Sequence, residues 1–253
     1  IDGEKLEAGK DYFPLLNDKV GKRLLVSFRT ASGEQVDEVI RPISSSALND
    51  LLYKRWVKQR AEEVERVSKG TLGYVHIPSM GDPSFRTVYS DVMGKYYQKK
   101  GIVIDIRYNG GGRLHEDIEA FFTGKHYADQ VVRDRQYSEM SSRRWNRPSV
   151  LVTCEADYSN AHGTPWVYQH LKVGKVVGMP VAGTMTSVNW VTLLDPSVYF
   201  GIPAVGFRLF DGRYLENTQM EPDVVVPLDP TKVLQGVDTQ IEKAVEVLRA
   251  ETK

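Results

Sequence analysis

The run Gly101-Ile-Val-Ile-Asp-Ile-Arg, followed at once by Tyr108-Asn-Gly-Gly-Gly, constrains this chain more than any other stretch. Ile102, Val103, Ile104 and Ile106 are β-branched and nearly consecutive, so both faces of the segment are apolar. A strand of that kind belongs in a parallel sheet covered by helices on both sides. Leu72 to Ile77 reads as a second strand, Phe85 to Gln98 as a helix and His115 to Phe122 as another. Ser149 to Thr153 follows as a short buried strand, then Ala161 to Leu171 as a helix and Lys175 to Met179 as a strand. Asp238 to Arg249 sets Ile241, Ala244, Val245 and Leu248 on one helical face. This alternation predicts an α/β fold, a mainly parallel sheet flanked by helices, closed by β structure around Tyr199 to Val226.

The first 43 residues differ in texture. Leu24 to Phe28 and Val36 to Ile40 are strand candidates around the turn residues Ala31-Ser-Gly-Glu, and Leu6 to Leu16 holds a short helical or looped stretch. Two strands do not make a domain alone. From Ser44 to about Ser68, Leu48, Leu51, Leu52, Trp56, Ala61, Val64 and Val67 recur at helical spacing, which predicts one long or broken helix linking two units. The expected organisation is a small β module over 1–43, a connecting helix over 44–69 and a core domain over 70–253.

Lys plus Arg and Asp plus Glu are equal at 33 each, so no overall field draws the chain to nucleic acid or to an anionic membrane. A single cysteine, Cys154, excludes an internal disulfide and a cysteine-based zinc site. No two histidines have metal-ligand spacing with a carboxylate, so no metal and no cofactor are expected. No apolar run approaches the ~18 residues of a membrane span. Cytoplasmic and periplasmic or secreted locations both remain open. The opening Ile-Asp-Gly-Glu reads as the middle of a folded domain, and the chain is expected to be a piece of something longer.

In open α/β sheets, sites gather where strands end and helices begin. At the first such junction, Asn109, Gly110, Gly111 and Gly112 follow a buried strand; glycines allow positive φ and close approach of another group to backbone N–H donors. The plain alternative is a packing turn. No Gly-Lys-Ser/Thr follows, so it is not a nucleotide-binding Walker loop. At the second, Ser159 precedes a predicted helix, where unsatisfied N–H groups and the helix dipole favour an anion. A serine there suits a nucleophile and its oxyanion; the plain alternative is an ordinary N-cap.

Together these residues resemble the tricorn and carboxy-terminal processing protease family of serine peptidases, its tricorn branch in particular. The carriers are Gly70-Thr-Leu-Gly-Tyr-Val-His-Ile-Pro, the Asp105-Ile-Arg-Tyr-Asn-Gly-Gly-Gly loop, Tyr158-Ser-Asn-Ala-His-Gly-Thr-Pro-Trp, Gly183-Thr184, and Leu215-Glu-Asn ahead of Glu221-Pro-Asp, in the family's order over residues 70 to 227. The resemblance implies a ClpP/crotonase-like core preceded by part of a PDZ-like β module over 1–43. It implies Ser159 as nucleophile, with Asn160 and Gly111 N–H groups as the oxyanion hole. Gly110, Gly112 and His162 are assigned to substrate binding, and Glu216 to a carboxylate that helps orient the catalytic groups. Asn160 stands where the tricorn branch has an aspartate associated with basic P1 side chains, so that preference is expected to weaken.

The processing-protease branch would place a lysine base after the Gly-Thr turn, but Met185-Thr-Ser-Val offers none. The tricorn branch takes its base from a Ser-His element ahead of the PDZ-like domain, which these residues do not include. The expected function is therefore hydrolysis of peptides or unfolded polypeptides by a protein whose N-terminal domains complete the site, with this chain alone inactive and a homo-oligomer left open. The alternatives are a non-catalytic peptide-binding pseudo-protease module and, opposed by the Tyr158-Ser-Asn-Ala-His segment, a crotonase-type acyl-CoA enzyme. His162, three residues after Ser159, is also weighed as a stand-in base. His76 is expected to be structural, and His115, His126 and His170 to be surface or helix residues without a useful partner.

Overall fold

A computed structural model describes residues 1–252 and divides into two compact units, Ile1–Lys58 and Gln59–Lys253. The first unit holds an antiparallel hairpin of β1 (Leu24–Arg29) and β2 (Gln35–Ile40), paired from Leu24↔Ile40 to Arg29↔Gln35. Its tight turn closes with Thr30 N–H on Glu34 O and with Gly33 at φ 85°. A short 3₁₀ turn covers Phe13–Leu16. Helix α1 (Ser45–Ser68) is unbroken, and the division between the units falls within it.

The second unit is built on five parallel strands: β3 (Leu72–His76), β4 (Gly101–Asp105), β7 (Ser149–Thr153), β8 (Lys175–Gly178) and β11 (Val224–Val225), in the order β11-β8-β7-β4-β3. Between them come α2 (Asp82–Ser90), α3 (His115–Phe122), the hairpin β5 (Ala128–Val132) and β6 (Arg135–Met140), and α4 (Asn160–His170). A second hairpin of β9 (Thr186–Thr192) and β10 (Tyr199–Gly206) precedes β11, and α5 (Pro230–Leu234) and α6 (Thr239–Glu251) close the chain.

Both faces of the sheet are covered, as the Ile-Val-Ile run requires. Ile102, Ile104, Leu151 and Val176 pack in one cluster with Val88, Ile118, Phe121, Ala161 and Tyr168 from α2, α3 and α4. Gly101 belongs to the opposite face, where Leu248 of α6 lies against it so closely that an added Cβ would stand 3.2 Å from the leucine methyls. Fully burying such aliphatic side chains contributes about 1.5–3 kcal/mol each, which makes the two apolar layers the main source of the unit's stability.

The predicted helix over Phe85–Gln98 is the clearest difference. The α-helix starts at Asp82, with Pro83 in its first turn, and gives way to a π-type turn over Asp91–Lys95 that includes Gly94. Proline is favoured in a first turn because its missing N–H is not needed there, and glycine weakens helix continuation. Neither hairpin β5–β6 nor strand β9 is anticipated by the alternation of apolar residues.

Candidate active site

Strands β4 and β7 are neighbours, with Asp105 opposite Val152, so the segments that leave their C-terminal ends emerge side by side. The end of β4 is fixed by buried charge. The Arg107 guanidinium pairs with Asp105 at 2.7 Å and with Asp238 at 2.9 Å, and donates to Gln240 Oε1 at 2.9 Å. Burial pushes the Asp105 carboxyl up, but the charge and hydrogen bonds of Arg107 outweigh it and hold it below the ordinary range. Asp238 also caps α6 by accepting the Gln240 and Ile241 N–H groups. The strand end and the C-terminal helix are thus one electrostatic unit.

Two residues later Asn109, fully buried, ties three segments together. Its Nδ2 donates to Ile77 O just past β3 at 2.8 Å, and its Oδ1 accepts the Gly111 N–H at 2.8 Å. Its backbone oxygen accepts the Tyr158 N–H at 2.9 Å, and its own N–H donates to Asp157 Oδ1 at 3.2 Å. The carboxamide supplies the donor and the acceptor that this position uses. Gly111 (φ 97°) is pressed against the turn after β7: a Cβ there would stand 2.6 Å from Ser159 Cβ. At Gly112 (φ 138°) a Cβ would meet Met80 O at 2.1 Å. Both glycines are therefore required by space as well as by conformation.

Ser159 occupies the N-cap position of α4 at φ 56°, ψ −120°. A side chain other than glycine costs about 1–3 kcal/mol in such a sparsely populated region, so the surroundings must hold it there. They do so through Ser159 N–H donating to Thr184 Oγ1 at 2.8 Å, the Tyr158–Asn109 bond and the packing of Gly111. The hydroxyl does not cap the helix. Among the described residues Ser159 Oγ has no hydrogen-bond partner, and the N–H groups of Asn160 and Gly112 have none either. The Gly111 N–H, expected as an oxyanion donor, is engaged by Asn109 Oδ1. A free hydroxyl beside free amides at a helix N-terminus can support attack on a carbonyl and stabilise the resulting oxyanion.

The residues singled out in the sequence are only partly brought together. Gly183-Thr184 bridges Ser159 to the Glu216 turn, since Gly183 O accepts the Asn217 N–H at 2.9 Å and the Gly183 Cα lies so close to Thr218 that an added Cβ would be 2.3 Å from its nitrogen. Glu216 is half-buried, its Oε2 sealed from solvent without a hydrogen-bond partner among the described residues. His162 departs from expectation. It is completely buried, neither ring nitrogen has a hydrogen-bond partner among the described residues, and burial lowers its pKa against the pull of Thr218 and Glu216. The first turns of α4 from Asn160 to Pro165 are buried throughout, so the i+3 position faces the interior and not a substrate.

The Asn160 side chain also turns inward. Its Oδ1 accepts the N–H groups of Leu114 (2.8 Å) and His115 (3.1 Å) at the start of α3, and its Nδ2 donates to His115 Nδ1 at 2.8 Å. His115 is the residue that sequence reasoning passed over. It lines, with Ser159, Asn160, Gly112, Met185 and Phe207, a pocket of about 350 Å³, and its ring meets Phe207 edge-on at 6.1 Å. A larger neighbouring pocket of about 850 Å³ shares His115, Met185 and Phe207. The available signal was its position directly after the glycine loop, at a helix start. The other histidines are occupied elsewhere: His76 Nε2 lies 3.1 Å from Arg107 O, His126 is 2.8 Å from Asp129, and His170 stacks on Trp166 at 4.6 Å.

Beneath the turn, burial pushes the Asp157 carboxyl up to about 8 although it accepts the Cys154 and Asn109 N–H groups. Burial, with Asp157 adding to it, pushes the Cys154 thiol up to about 12, which leaves it a neutral, unreactive side chain at ordinary pH. Among the described residues no group of three or more His, Cys, Asp or Glu side chains is placed to hold a metal ion, and no helix is long and apolar enough to cross a membrane.

The sequence and the fold are both similar to those of known proteins. The chain is 26% identical to the tricorn protease of Thermoplasma acidophilum over 255 residues, covering all of this chain and 23% of that protein. It is 27% identical to a tricorn protease homolog of Saccharolobus solfataricus, covering 98% of this chain and 23% of the relative. The crystal structure of the tricorn protease superposes with a TM-score of 0.84 at 26% identity, covering 99% of this chain and 24% of that one. The chain therefore spans about a quarter of the length of the relatives it matches. The model of peptidase family S41 matches residues 71–226, the stretch that holds all five strands of the parallel sheet, the glycine loop and Ser159. With homologues and fold both those of S41 serine peptidases, this chain belongs to peptidase family S41 and is tricorn-like within it.

Proposed function

We propose that this chain carries the nucleophile and oxyanion half of a serine peptidase site acting on peptides or unfolded polypeptides, and that the general base comes from outside these 253 residues. The observation that supports this most strongly is Ser159 itself: a strained N-cap serine whose hydroxyl caps nothing. Tight packing against Gly111 holds that conformation, and strain of this kind persists only where the surroundings over-determine it.

In the proposed reaction the external base takes the Ser159 hydroxyl proton as Oγ attacks the peptide carbonyl carbon. The carbonyl π electrons move to oxygen, where the Asn160 N–H and the Gly111–Gly112 step of the loop receive the charge. The free Gly112 N–H serves directly; Gly111 N–H serves on exchanging its bond to Asn109. Collapse breaks the C–N bond, the leaving amine takes the proton from the base, and water releases the acyl group by the reverse sequence. Glu216 orients the catalytic groups through the Gly183-Thr184 bridge. Without a positioned base, Ser159 is a poor nucleophile; general-base catalysis typically contributes about 10²–10⁴-fold, so the chain alone is expected to fold and not to turn over peptides.

One observation favours a second reading, a peptide-binding pseudo-protease: no imidazole or amine among the described residues is hydrogen-bonded to Ser159 Oγ. Reaction of Ser159 with a fluorophosphonate in the full-length protein separates the two, since a binding module does not activate its serine.

A further inference from the structure

The Asn160–His115 pair defines the hydrogen-bonding character of the pocket beside Ser159. Asn160 Oδ1 accepts two backbone N–H groups at the start of α3, at 2.8 and 3.1 Å. A carboxamide nitrogen could not accept either bond, so the orientation of the amide is fixed by chemistry. Its other end is then an NH₂ group, and it lies 2.8 Å from His115 Nδ1. An amide NH₂ only donates, so His115 Nδ1 must be the bare, accepting nitrogen, and the neutral ring carries its proton on Nε2. The α3 N-terminus and the edge-on Phe207 ring restrain the imidazole further. Nε2–H has no hydrogen-bond partner among the described residues. The polar group that His115 has left for the pocket it lines is therefore a donor.

We infer that His115 is a specificity-determining residue, an Nε2–H donor locked by Asn160, and that the pocket beside Ser159 selects a peptide side chain that accepts hydrogen bonds, a carboxamide or carboxylate, over an ammonium or guanidinium. The inference rests on Ser159 as the nucleophile only for the location of the selected residue, next to the bond cut. The walls suit a side chain of Gln or Glu size: Met185 and Phe207 offer apolar contact for its methylenes, and Arg113 and Glu116, both exposed and of opposite charge, line the same pocket. Arg113 and Glu116 bring one charge of each sign to this pocket wall, and the hydroxyls of Thr186 and Ser187 donate as readily as they accept, so the choice between acceptor and donor falls to His115. Asn160 is thereby more than the carrier of an amide. An aspartate in its place would accept a hydrogen bond from Nδ1–H, hold the single proton of the neutral ring on Nδ1, leave Nε2 bare and turn the pocket from donating to accepting.

Two measurements test this. Long-range ¹⁵N–¹H NMR on the chain itself, above pH 7.5 and without ligand, reads the His115 tautomer. The expected result is Nε2–H, changing to Nδ1–H in Asn160→Asp; an Nδ1–H ring in the native chain overturns the inference. In parallel, peptide aldehydes ending in Gln, Glu, Leu or Lys are titrated against the chain. The Gln and Glu aldehydes are expected to bind about tenfold tighter than the Lys aldehyde, the size of one hydrogen bond to a strong acceptor. That preference should vanish in His115→Phe, which keeps a ring against Phe207, and shift toward Lys in Asn160→Asp. Selectivity that survives His115→Phe overturns the inference. Equal, weak binding of all four aldehydes, unchanged by Ser159→Ala, counts against both the selectivity and the nucleophile, whereas selective binding unchanged by Ser159→Ala supports His115 and counts against Ser159 alone.

Discussion

The peptide oxygen of Asn109 accepts the Tyr158 N–H at 2.9 Å, and that bond joins the glycine loop after β4 to the turn after β7 that carries Ser159. Everything proposed for the site depends on those two turns keeping that distance. Asn109→Asp replaces the amide that donates to Ile77 O with a buried carboxylate, and leaves Ile77 O without its donor. Each unsatisfied buried group costs about 1–3 kcal/mol. The variant should lose at least that much stability in urea unfolding and react more slowly at Ser159; native stability would show that the strut is dispensable.

The close packing of Gly111 on Ser159 gives a sharper expectation. Gly111→Ala sets a methyl 2.6 Å from Ser159 Cβ at a φ of 97°. Fluorophosphonate reaction in the full-length protein should slow by about 100-fold or more, the size of losing one oxyanion contact. Gly94→Ala, in the π-type turn after α2, where no atom lies within 4 Å of the added methyl, should be nearly silent. Equal effects at the two positions would contradict the packing described.

Arg107 neutralises two buried carboxylates, Asp105 and Asp238. Removing one partner from such a group typically costs about 3–5 kcal/mol, because the remaining charge stays buried. Arg107→Met is expected to fall in that range in urea unfolding, and a loss below about 1 kcal/mol would mean that the carboxylates find other partners.

Asp157 sets a pH dependence whose sign follows from its direction of shift. With the folded pKa pushed up to about 8 and an ordinary carboxyl at 3.8 in the unfolded chain, the folded state holds a proton between those values that the unfolded state has lost. Its contribution to stability therefore falls as pH rises from about 4 to about 8 and is level above that. The urea midpoint should drop across this window, and the drop should shrink in Asp157→Asn. A midpoint rising through the window in the native chain, and equally in the variant, would contradict the assignment.

Much of this was legible before any coordinates. The apolar runs of β4 and β7 are buried on both faces, as their sequences require, and the His115–Phe122 and Ser149–Thr153 elements lie where their patterns put them. The β1–β2 hairpin was legible from its turn residues, but the β5–β6 hairpin and strand β9 were not. β9 and β10 expose Trp190, Tyr199 and Ile202 without one buried face to impose alternation, and the β5–β6 turn is made by Arg133 and Asp134 at positive φ instead of the usual Asn-Gly pair. At the site, the glycine loop and Ser159 could be paired from order along the chain, because strand ends and helix starts gather at one edge of the sheet. Side-chain direction could not be read. Asn160 and His162 turn inward, while His115, expected to be a surface or helix residue without a useful partner, stands in α3, meets Asn160 and lines the pocket, and such choices are made by contacts between α3 and α4 that no single segment encodes.

Glu216 is expected to act on rate and not on folding. Glu216→Gln in the full-length protein should lower peptide turnover by at least about tenfold with an unchanged melting temperature. An unchanged rate would assign the carboxylate to structure alone.

Mass-spectrometric mapping of the fluorophosphonate adduct tests the central claim most directly, carried out in parallel on the full-length protein and on these 253 residues alone. The expected result is one adduct on Ser159 in the full-length protein, abolished by Ser159→Ala, with little or none on the isolated chain. An adduct at another residue, or one that persists in Ser159→Ala, would contradict it.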